Sequence, residues 1–269
     1  MLLAAAFLAL SQVPATAASP HQPHLLPLPD DAIAYVPASA PPHPPLLVLL
    51  HGAGRENAIM LQHFEAEADK RGIVLLAPAS RGITWDTVAI AEEPPSSDSP
   101  LATKMAHRFS GSRDAKRVED SIAALEKIVP VDEKRTVLSG FSDGATFALA
   151  MGMARAYPFA AVIAWSPGIA IQTAAPARGR RVFVSHGRSD PILRFETTCR
   201  DIVPLLQSEG ANVTFLSFDG GHDAPVWLKD TFLDAAFGKV AGSEGRPLPT
   251  QVEKCGGAKA EVPKLPGER

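Results

Sequence analysis

The sequence TVLSGFSDGATFALAMGM occupies residues 136–153 and indicates the class of fold. A short apolar run ends at Leu138, a glycine-rich turn follows, and a run of good helix formers continues from Ala145 to Met153. The turn has the pattern Gly-x-Ser-x-Gly, in which a tight strand-to-helix turn lifts the serine hydroxyl clear of a sheet while the glycines avoid backbone clashes. The pattern by itself also fits a glycine-rich structural turn. Between a predicted strand and a predicted helix, however, it favours Ser142 as a nucleophile.

Short apolar runs of the kind that fill a buried parallel sheet occur on both sides of this turn. They are Leu46–Leu50, Ile73–Leu76, Thr136–Leu138, Ala161–Ala164, Val182–Ser185 and Val213–Phe218. Strand and helix alternate along this part of the chain, without an internal repeat or an obvious linker. We therefore predict a single α/β domain with a mostly parallel central sheet flanked by helices. The connection between the fourth and fifth runs is too short for a helical cap domain.

Two helices are predicted most clearly. One extends from about Asn57 to Arg71 and ends at Gly72, a helix-stop signal. The other begins near Asp114 and carries apolar side chains at spacings of four and three residues, which places them on one face. These side chains are Val118, Ile122, Leu125 and Val129.

We divide the chain by composition into a candidate signal peptide (1–17), a proline-rich extended segment (18–45), the α/β domain (46–240) and a tail expected to be poorly ordered (241–269). The proline-rich segment contains one strand-like stretch, Ala32–Val36. In the first segment the apolar run Leu2–Leu10 precedes a small-x-small sequence at Ala15 to Ala17, although no basic residue comes before it. The run is far shorter than the roughly 20 residues that span a bilayer, so we expect no stable membrane insertion. A misassigned start or a buried helix is the alternative. The prediction is export to the periplasm or the medium.

The overall composition excludes several classes of protein. The chain has 269 residues, of which 46% are hydrophobic and 20% charged, and its 26 basic and 29 acidic residues give a net charge of −3. The apolar content is enough for a large core, which argues against wholesale disorder. A nucleic-acid binder that neutralises phosphates needs an excess of Lys and Arg, so we expect no nucleic-acid partner. Nothing in the composition predicts an oligomeric state.

The two cysteines, Cys199 and Cys255, are too few for a disulfide scaffold or a four-thiolate zinc site. In an oxidising compartment they can pair with each other. Cys199 lies in a predicted helix between Phe195 and Ile202, where a small buried hydrophobic side chain is the simpler interpretation. The sequence therefore favours an unpaired thiol.

Candidate partners for the serine lie just after two other strands, where ligands bind in sheets of this kind. Asp190 follows the run that ends at Ser185, and His222 follows the run that ends at Phe218. A serine hydroxyl needs a base to take its proton and an acid to orient that base. We therefore predict the order Ser142, Asp190, His222 as a catalytic triad. Asp219 and Asp223 are the alternative acids, but each lies beside His222 in sequence and needs an unusual turn to face its ring.

Backbone donors for an oxyanion are expected on a glycine-rich loop and at the residue after the nucleophile. The sequence His51-Gly52-Ala53-Gly54 directly follows a predicted strand, so the amides of Ala53 and Asp143 are the predicted pair. The His51 side chain is expected to support this loop. A metal site at His51, His186 and His222 is a weaker alternative, because no carboxylate cluster or HExxH motif accompanies them, and we predict none.

Two features near the site leave alternatives open. Trp85 either lines an acyl pocket or packs in the core. The long stretch from Thr87 to Arg113 is either a flap beside the site or a solvated excursion.

The motifs HGAG (51–54), GFSDGA (140–145), SHGRSDP (185–191) and GGH (220–222) together resemble the α/β-hydrolase superfamily. More narrowly, the chain from Leu46 to Trp227 resembles bacterial predicted esterases of the phospholipase/carboxylesterase group, which are related to dienelactone hydrolases. This resemblance implies a serine esterase that needs no cofactor and acts on a small-molecule or polymeric ester.

The chain departs from the better-known members of this group at two positions. It has Asp143 where many have Gln and Ala145 where many have Gly, which leaves the mechanism intact and the substrate open. The alternatives are a secreted depolymerase or feruloyl-type esterase, a peptidase on the same fold, and a catalytically silent binding module.

Overall fold

The computed structural model of the protein describes residues 23–86, 88, 112–154, 156–173 and 175–248. Its strands are β1 (His24–Pro27), β2 (Ile33–Val36), β3 (Leu46–Leu50), β4 (Val74–Ala77), β5 (Thr136–Phe141), β6 (Ala161–Trp165), β7 (Arg181–Gly187) and β8 (Asn212–Phe218). They form one eight-stranded sheet in the order β1-β2-β4-β3-β5-β6-β7-β8. The pairs β1–β2 and β2–β4 are antiparallel, and the other five are parallel. The predicted mostly parallel sheet is confirmed.

The helices are α1 (Asn57–Gln62), α2 (Glu65–Arg71), α3 (Arg113–Glu126), α4 (Asp143–Met153), α5 (Phe195–Thr197), α6 (Val203–Ser208) and α7 (Val226–Phe237). A π-helical stretch, Thr198–Ile202, joins α5 to α6, and short 3-10 turns occur at Pro29–Asp31 and Glu133–Arg135.

Helices cover the sheet on both faces, which explains why its central strands are continuously apolar. Successive side chains of a strand point to opposite faces. In β3, Leu46 and Val48 belong to the core layer shared with α3, α4 and α6. Leu47 and Leu49 belong to the layer shared with α1, α2 and α7. All of β3 is therefore buried.

The predicted apolar face of α3 is confirmed. Val118 and Leu125 are fully buried, and Ile122 and Val129 pack against the same cluster. The helix begins after Ser112, whose Oγ accepts a hydrogen bond from the Ala115 amide at 2.9 Å. This side-chain cap satisfies one of the amides that a helix leaves free at its first turn.

The single helix predicted from Asn57 to Arg71 is wrong, because the chain breaks at His63 and Phe64 into α1 and α2. No glycine or proline marks the break. Instead, Lys229 of α7 donates a hydrogen bond to the His63 carbonyl at 2.7 Å and lies 5.1 Å above the centre of the Phe64 ring. A tertiary contact thus takes the place of a helical hydrogen bond.

The sheet begins earlier than the predicted domain boundary at Leu46. Both β1 and β2 lie in the segment 18–45, which we expected to be an extended lead into the domain with one strand-like stretch, Ala32–Val36. Ala34 and Tyr35 of β2 pair with β4 and are buried, so this segment completes the sheet edge. Proline is tolerated there because β1 is an edge strand, and Pro27 ends it.

The start of the C-terminal tail is also tied to the domain. The Glu244 amide donates to Asp230 of α7 at 2.8 Å, and the Arg246 guanidinium lies 4.1 Å from the centre of the Trp227 ring. The remainder of the tail, 249–269, lies outside the described residues, as do the candidate signal peptide and nearly all of the long stretch after Thr87. Within the described ranges, no helix has the length and hydropathy to cross a bilayer.

Cys199 is buried and forms a disulfide bond, so the favoured unpaired thiol is wrong. Its environment agrees with the sequence prediction, because it packs in the core from the π-helical stretch. Cys255, the other cysteine of the chain, lies outside the described residues.

Candidate active site

The candidate site lies at the carboxyl ends of β3 and β5. The connection that follows β3 leads to β4 on one side of it, whereas β5 lies on the other side. A crevice forms at such a switch point, because the loops leave neighbouring strands in opposite directions. Here it brings the loop at 51–54 beside Ser142: a Cβ added to Gly52 would lie 3.3 Å from the Cβ of Ser142.

The turn between β5 and α4 holds Ser142 in an unusual backbone conformation, with φ 57° and ψ −119°. Non-glycine residues rarely adopt a positive φ, and such conformations cluster at functional sites. The turn is possible because its glycines allow close approach. A Cβ on Gly140 would lie 2.1 Å from the Gly144 carbonyl oxygen, and one on Gly144 would lie 2.3 Å from the Leu50 carbonyl oxygen.

Ser142 and His222 line the same open cleft, which has a volume of about 660 Å³. Ser142 is 8% exposed, and its amide donates to the Trp165 carbonyl at 2.9 Å, which ties the turn to β6. The His222 ring packs against Phe141, with 4.7 Å between ring centres. The cleft therefore brings together two of the three predicted triad residues.

The third, Asp190, lies behind His222. His222 Nδ1 donates to Asp190 Oδ2 at 2.6 Å. The other carboxylate oxygen, Oδ1, accepts from the amides of Ile192 and Leu193 at 2.8 and 2.9 Å. Burial would raise the pKa of Asp190, but the hydrogen bonds from His222 and these two amides outweigh it and hold the pKa below its ordinary value. The carboxylate therefore stays charged beside the imidazole.

The two alternative acids have other hydrogen-bond or ion-pair partners. The Asp219 side chain is 94% exposed and pairs with Arg188 at 3.1 Å. Asp223 accepts from the adjacent Ala224 amide at 2.7 Å. Of the three candidate carboxylates, the structure brings Asp190 to the imidazole.

The predicted oxyanion donors belong to the loop after β3 and to the start of α4. Ala53 lines the cleft. Asp143 is the first residue of α4, where an amide has no partner within its own helix. Asp143 is not among the described residues that line the cleft, and its carboxylate accepts from Thr84 Oγ1 at 2.6 Å. Its contribution to a site would therefore come from its backbone.

The His51 imidazole supports the loop as expected. Its Nε2 accepts a hydrogen bond from the Ser80 amide at 3.1 Å, so the ring proton lies on Nδ1, which is 2.6 Å from the Gly52 carbonyl. Burial lowers the pKa of His51, which favours this neutral form.

Trp85 belongs to the core rather than to the pocket. It is fully buried, packs between the rings of His51 and Phe147, and donates to the His51 carbonyl at 2.8 Å. The suggested acyl-pocket role is corrected for this reason: the indole supports the loop at 51–54 from beneath.

Other aromatic and aliphatic residues line the cleft, and the sequence analysis did not single them out. Trp165 and Phe64 form part of its wall. Ile59, Ile192 and Val226 stand at its edge and are 45%, 66% and 52% exposed. Their positions follow from loop packing, which leaves no periodic signal in the sequence.

The proposed metal alternative lacks a ligand set. In the part of the chain that the structure describes, no group of three or more His, Cys, Asp or Glu side chains is placed to hold a metal ion. His51 and His186 are instead hydrogen-bonded to neighbouring protein groups.

Comparison with known families places the chain. A model of the phospholipase/carboxylesterase family of α/β-hydrolases matches residues 31–227. The chain belongs to this family. Membership confirms the resemblance that its motifs indicated.

A curated protein is also similar to part of the chain. The chain is 27% identical over 170 residues to the bifunctional acetylxylan esterase/xylanase XynS20E of Neocallimastix patriciarum. The match covers 62% of this chain and 22% of that protein, so the chain spans about a fifth of its length.

Two solved structures show the same fold. The poly(3-hydroxybutyrate) depolymerase LpqC of Bordetella parapertussis superposes with a TM-score of 0.60 and 16% identity, covering 82% of this chain and 92% of that one. An acetyl xylan esterase of Aspergillus awamori superposes with a TM-score of 0.54 and 13% identity, covering 80% and 98%. The described residues of this phospholipase/carboxylesterase-family chain thus form one α/β-hydrolase domain.

Proposed function

We propose that the protein is a serine hydrolase that cleaves carboxylic esters through an acyl-enzyme. The observation that carries this proposal is the hydrogen bond between His222 and the buried Asp190, beside a cleft that also contains Ser142 on a strained turn. Membership of an esterase family supports it.

In the first half of the reaction, Ser142 Oγ attacks the ester carbonyl carbon while His222 Nε2 takes the serine proton. Asp190 orients the ring and stabilises the imidazolium. The tetrahedral oxyanion is stabilised by the amides of Ala53 and Asp143. His222 then gives its proton to the leaving alcohol as the carbon–oxygen bond breaks.

In the second half, water takes the place of the serine hydroxyl. His222 accepts a proton from water as the water oxygen attacks the acyl carbon. His222 then gives this proton to Ser142 Oγ as the bond between Oγ and the acyl carbon breaks, which releases the carboxylic acid. All proton transfers pass through one imidazole, so the mechanism needs no cofactor.

The substrate of this site is an ester with an apolar part. The cleft is open, its wall is largely aromatic and aliphatic, and three exposed apolar side chains stand at its edge. An open edge of this kind also fits an ester attached to a polymer, which makes a depolymerase or an acetylxylan-type or feruloyl-type esterase the second candidate. The relatives with acetylxylan and polyhydroxybutyrate activities in their names support this candidate.

A panel of substrates separates these classes. The hydrolysis rates to compare are those on p-nitrophenyl esters of increasing chain length, acetylated xylan, feruloyl esters, a polyester and a peptide amide.

A fluorophosphonate probe tests the mechanism. We expect the probe to label the wild-type protein at Ser142, and Ser142→Ala and His222→Ala each to abolish labelling and ester turnover. The two losses should be about equal, since triad members act as a unit. Ser208→Ala, which alters an exposed serine on α6, is the matched control and should be labelled normally. Turnover of more than a few per cent by Ser142→Ala would disprove the assignment.

We further propose that the chain is exported after cleavage near Ala17. The disulfide at Cys199 supports this, because such bonds persist mainly in oxidising compartments. N-terminal sequencing of the protein expressed in a bacterial host should find the mature form, without the apolar run, in the periplasm. The full-length chain retained in the cytoplasm, with Cys199 alkylated without reductant, would contradict the proposal.

A further inference from the structure

The triad carboxylate has a second imidazole beside it. His186 lies in β7, four residues before Asp190, and its Nε2 is 3.1 Å from Asp190 Oδ2. This is the same oxygen that accepts from His222 Nδ1. Both His186 and the Asp190 carboxylate are fully buried.

The surroundings of His186 determine where its proton lies. Nε2 is also 3.0 Å from the Leu193 carbonyl. A carbonyl and a carboxylate only accept hydrogen bonds, so Nε2 must carry a hydrogen. Nδ1 lies 2.7 Å from Thr198 Oγ1, and the same hydroxyl lies 2.9 Å from the Pro167 carbonyl oxygen. A hydroxyl has one hydrogen, so Thr198 donates either to Nδ1 or to Pro167. Burial lowers the pKa of His186, which favours the neutral ring. The tautomer with its proton on Nε2 is the one that avoids placing a lone pair against both a carbonyl and a carboxylate.

The ring has little freedom to turn away. Thr198, which is itself fully buried, holds Nδ1, and the Phe195 ring packs edge-on with 6.1 Å between ring centres. The titratable groups that act on His186 are Asp190 and His222. The groups that face it from the helical segment are the Phe195 ring and the Thr198 hydroxyl, neither of which carries charge.

We propose that His186 is a positioning residue of the triad, whose Nε2–H holds Oδ2 of Asp190 in the orientation in which that oxygen accepts from His222. The proposal rests on the function proposed above. Oδ1 of the carboxylate accepts from the amides of Ile192 and Leu193. Oδ2 accepts from His222 and, in this proposal, from the Nε2 hydrogen of His186, which it shares with the Leu193 carbonyl.

The second imidazole also has an effect on chemistry. A carboxylate that shares its charge among four donors attracts the proton of His222 less strongly than one with three. Loss of the His186 donor should make protonation of His222 easier and move the acid limb of the activity profile to higher pH.

Two amide substitutions separate this role from packing. In His186→Gln the side-chain amide can lie near the position of Nε2 and still donate to Asp190. In His186→Asn the amide lies near Nδ1, where it reaches Thr198 but not the carboxylate. Both variants remove the ring, so a loss caused only by missing ring packing should affect both.

We expect His186→Gln to keep the acid limb of kcat/KM where the wild type has it. His186→Asn should move that limb upward by roughly half to one pH unit, the size expected for loss of one hydrogen bond to a charged group. Its kcat should fall roughly tenfold with little change in the KM of a small ester, because a carboxylate that is no longer held in place orients the His222 ring less well in the transition state. Rates are normalised to sites titrated with fluorophosphonate, and thermal unfolding checks that each variant is folded. Equal acid limbs in all three proteins, or equal shifts in both variants, would make His186 a packing residue and overturn the proposal.

Histidine NMR tests the same contact without turnover, so that failure of the esterase assignment is recognised separately. In the Ser142→Ala protein, ¹⁵N shifts should show His186 with its proton on Nε2, and the His222 resonances should titrate at higher pH once His186→Asn is added. A neutral ring with its proton on Nδ1 would overturn the proposal even if His186→Asn cannot be folded. Absence of ester turnover by the wild type, with the NMR result as expected, would instead refute the proposed function alone.

Discussion

Asp190 is the residue on which the site geometry depends most directly, because its carboxylate bonds both to amides of its own loop and to the His222 imidazole of the loop after β8. Asp190→Asn replaces an acceptor oxygen with an NH₂ group and favours the wrong tautomer of His222. We expect kcat to fall by about 10⁴, the size found for this change in a serine triad. Asp219→Asn and Asp223→Asn are matched controls and should retain nearly normal turnover in the same assay. A nearly normal Asp190→Asn with an inactive control variant would transfer the acid role to the other carboxylate.

Individual site residues could be predicted from the sequence where they directly follow a strand. Ser142, Asp190 and His222 each come just after an apolar run, and parallel strands bring their carboxyl ends to one edge. Trp85 and His186 could not be assigned in this way, because their roles depend on what lies above or beside them. The spacing of His186 four residues before Asp190 was a possible signal, but its meaning depends on the turn at 187–190.

Among the elements, α2 and α7 are joined by a buried charge cluster. Asp230 of α7 is fully buried and accepts from Arg71 of α2 at 2.6 Å, and Lys70 lies 3.2 Å away. Arg71, whose side chain is 1% exposed, also pairs with Asp234 at 2.8 Å. Removal of one partner from such a cluster leaves a buried charge without compensation.

We therefore expect Asp230→Asn to lower the free energy of unfolding by about 3–5 kcal/mol. Asp120→Asn, which removes an exposed ion pair with Lys116 within α3, is the control and should cost less than about 1 kcal/mol. Urea unfolding followed by circular dichroism measures both. Equal effects of the two substitutions would show that burial of the cluster contributes no stability.

Elements with strong local patterns were predicted closely, and elements that depend on partners were not. The β3 strand and the buried face of α3 agree with prediction, since two-sided burial and helical periodicity are properties of the segment itself. The break at His63 and the strand β1 depend on Lys229 and on pairing with β2, respectively. Such contacts join residues far apart in the chain and leave no local signal.

For the whole molecule, the two buried carboxylates whose pKa is lowered, Asp190 and Asp230, predict loss of stability in acid. Burial would raise the pKa of Asp230, but hydrogen bonds from the Glu244 amide, Arg71 and Lys70 outweigh it and lower the pKa below the ordinary value. The pKa of Asp190 is lowered in the same way. A group with a lowered folded-state pKa stabilises the protein above its unfolded pKa, near 4, and this stability is lost as the pH falls through the folded value.

Urea midpoints measured between pH 7 and pH 3 should accordingly be flat down to about pH 5 and fall steeply below about pH 4. In Asp230→Asn the urea midpoint should fall less steeply with pH, because this variant lacks one of the carboxylates whose protonation favours unfolding. A fall of the same steepness in both proteins would mean that other groups control the acid transition.

The close approach of Gly140 and Gly144 to neighbouring carbonyl groups has a consequence for genome comparison. These two glycines are required by folding, whatever the serine between them does. A gene copy that drifts to a non-catalytic use can lose Ser142 and still be under selection to keep both glycines, because a methyl group at either position would collide with the backbone. In descendants of this chain, the glycines therefore report that the fold is retained, whereas Ser142 reports on the proposed chemistry.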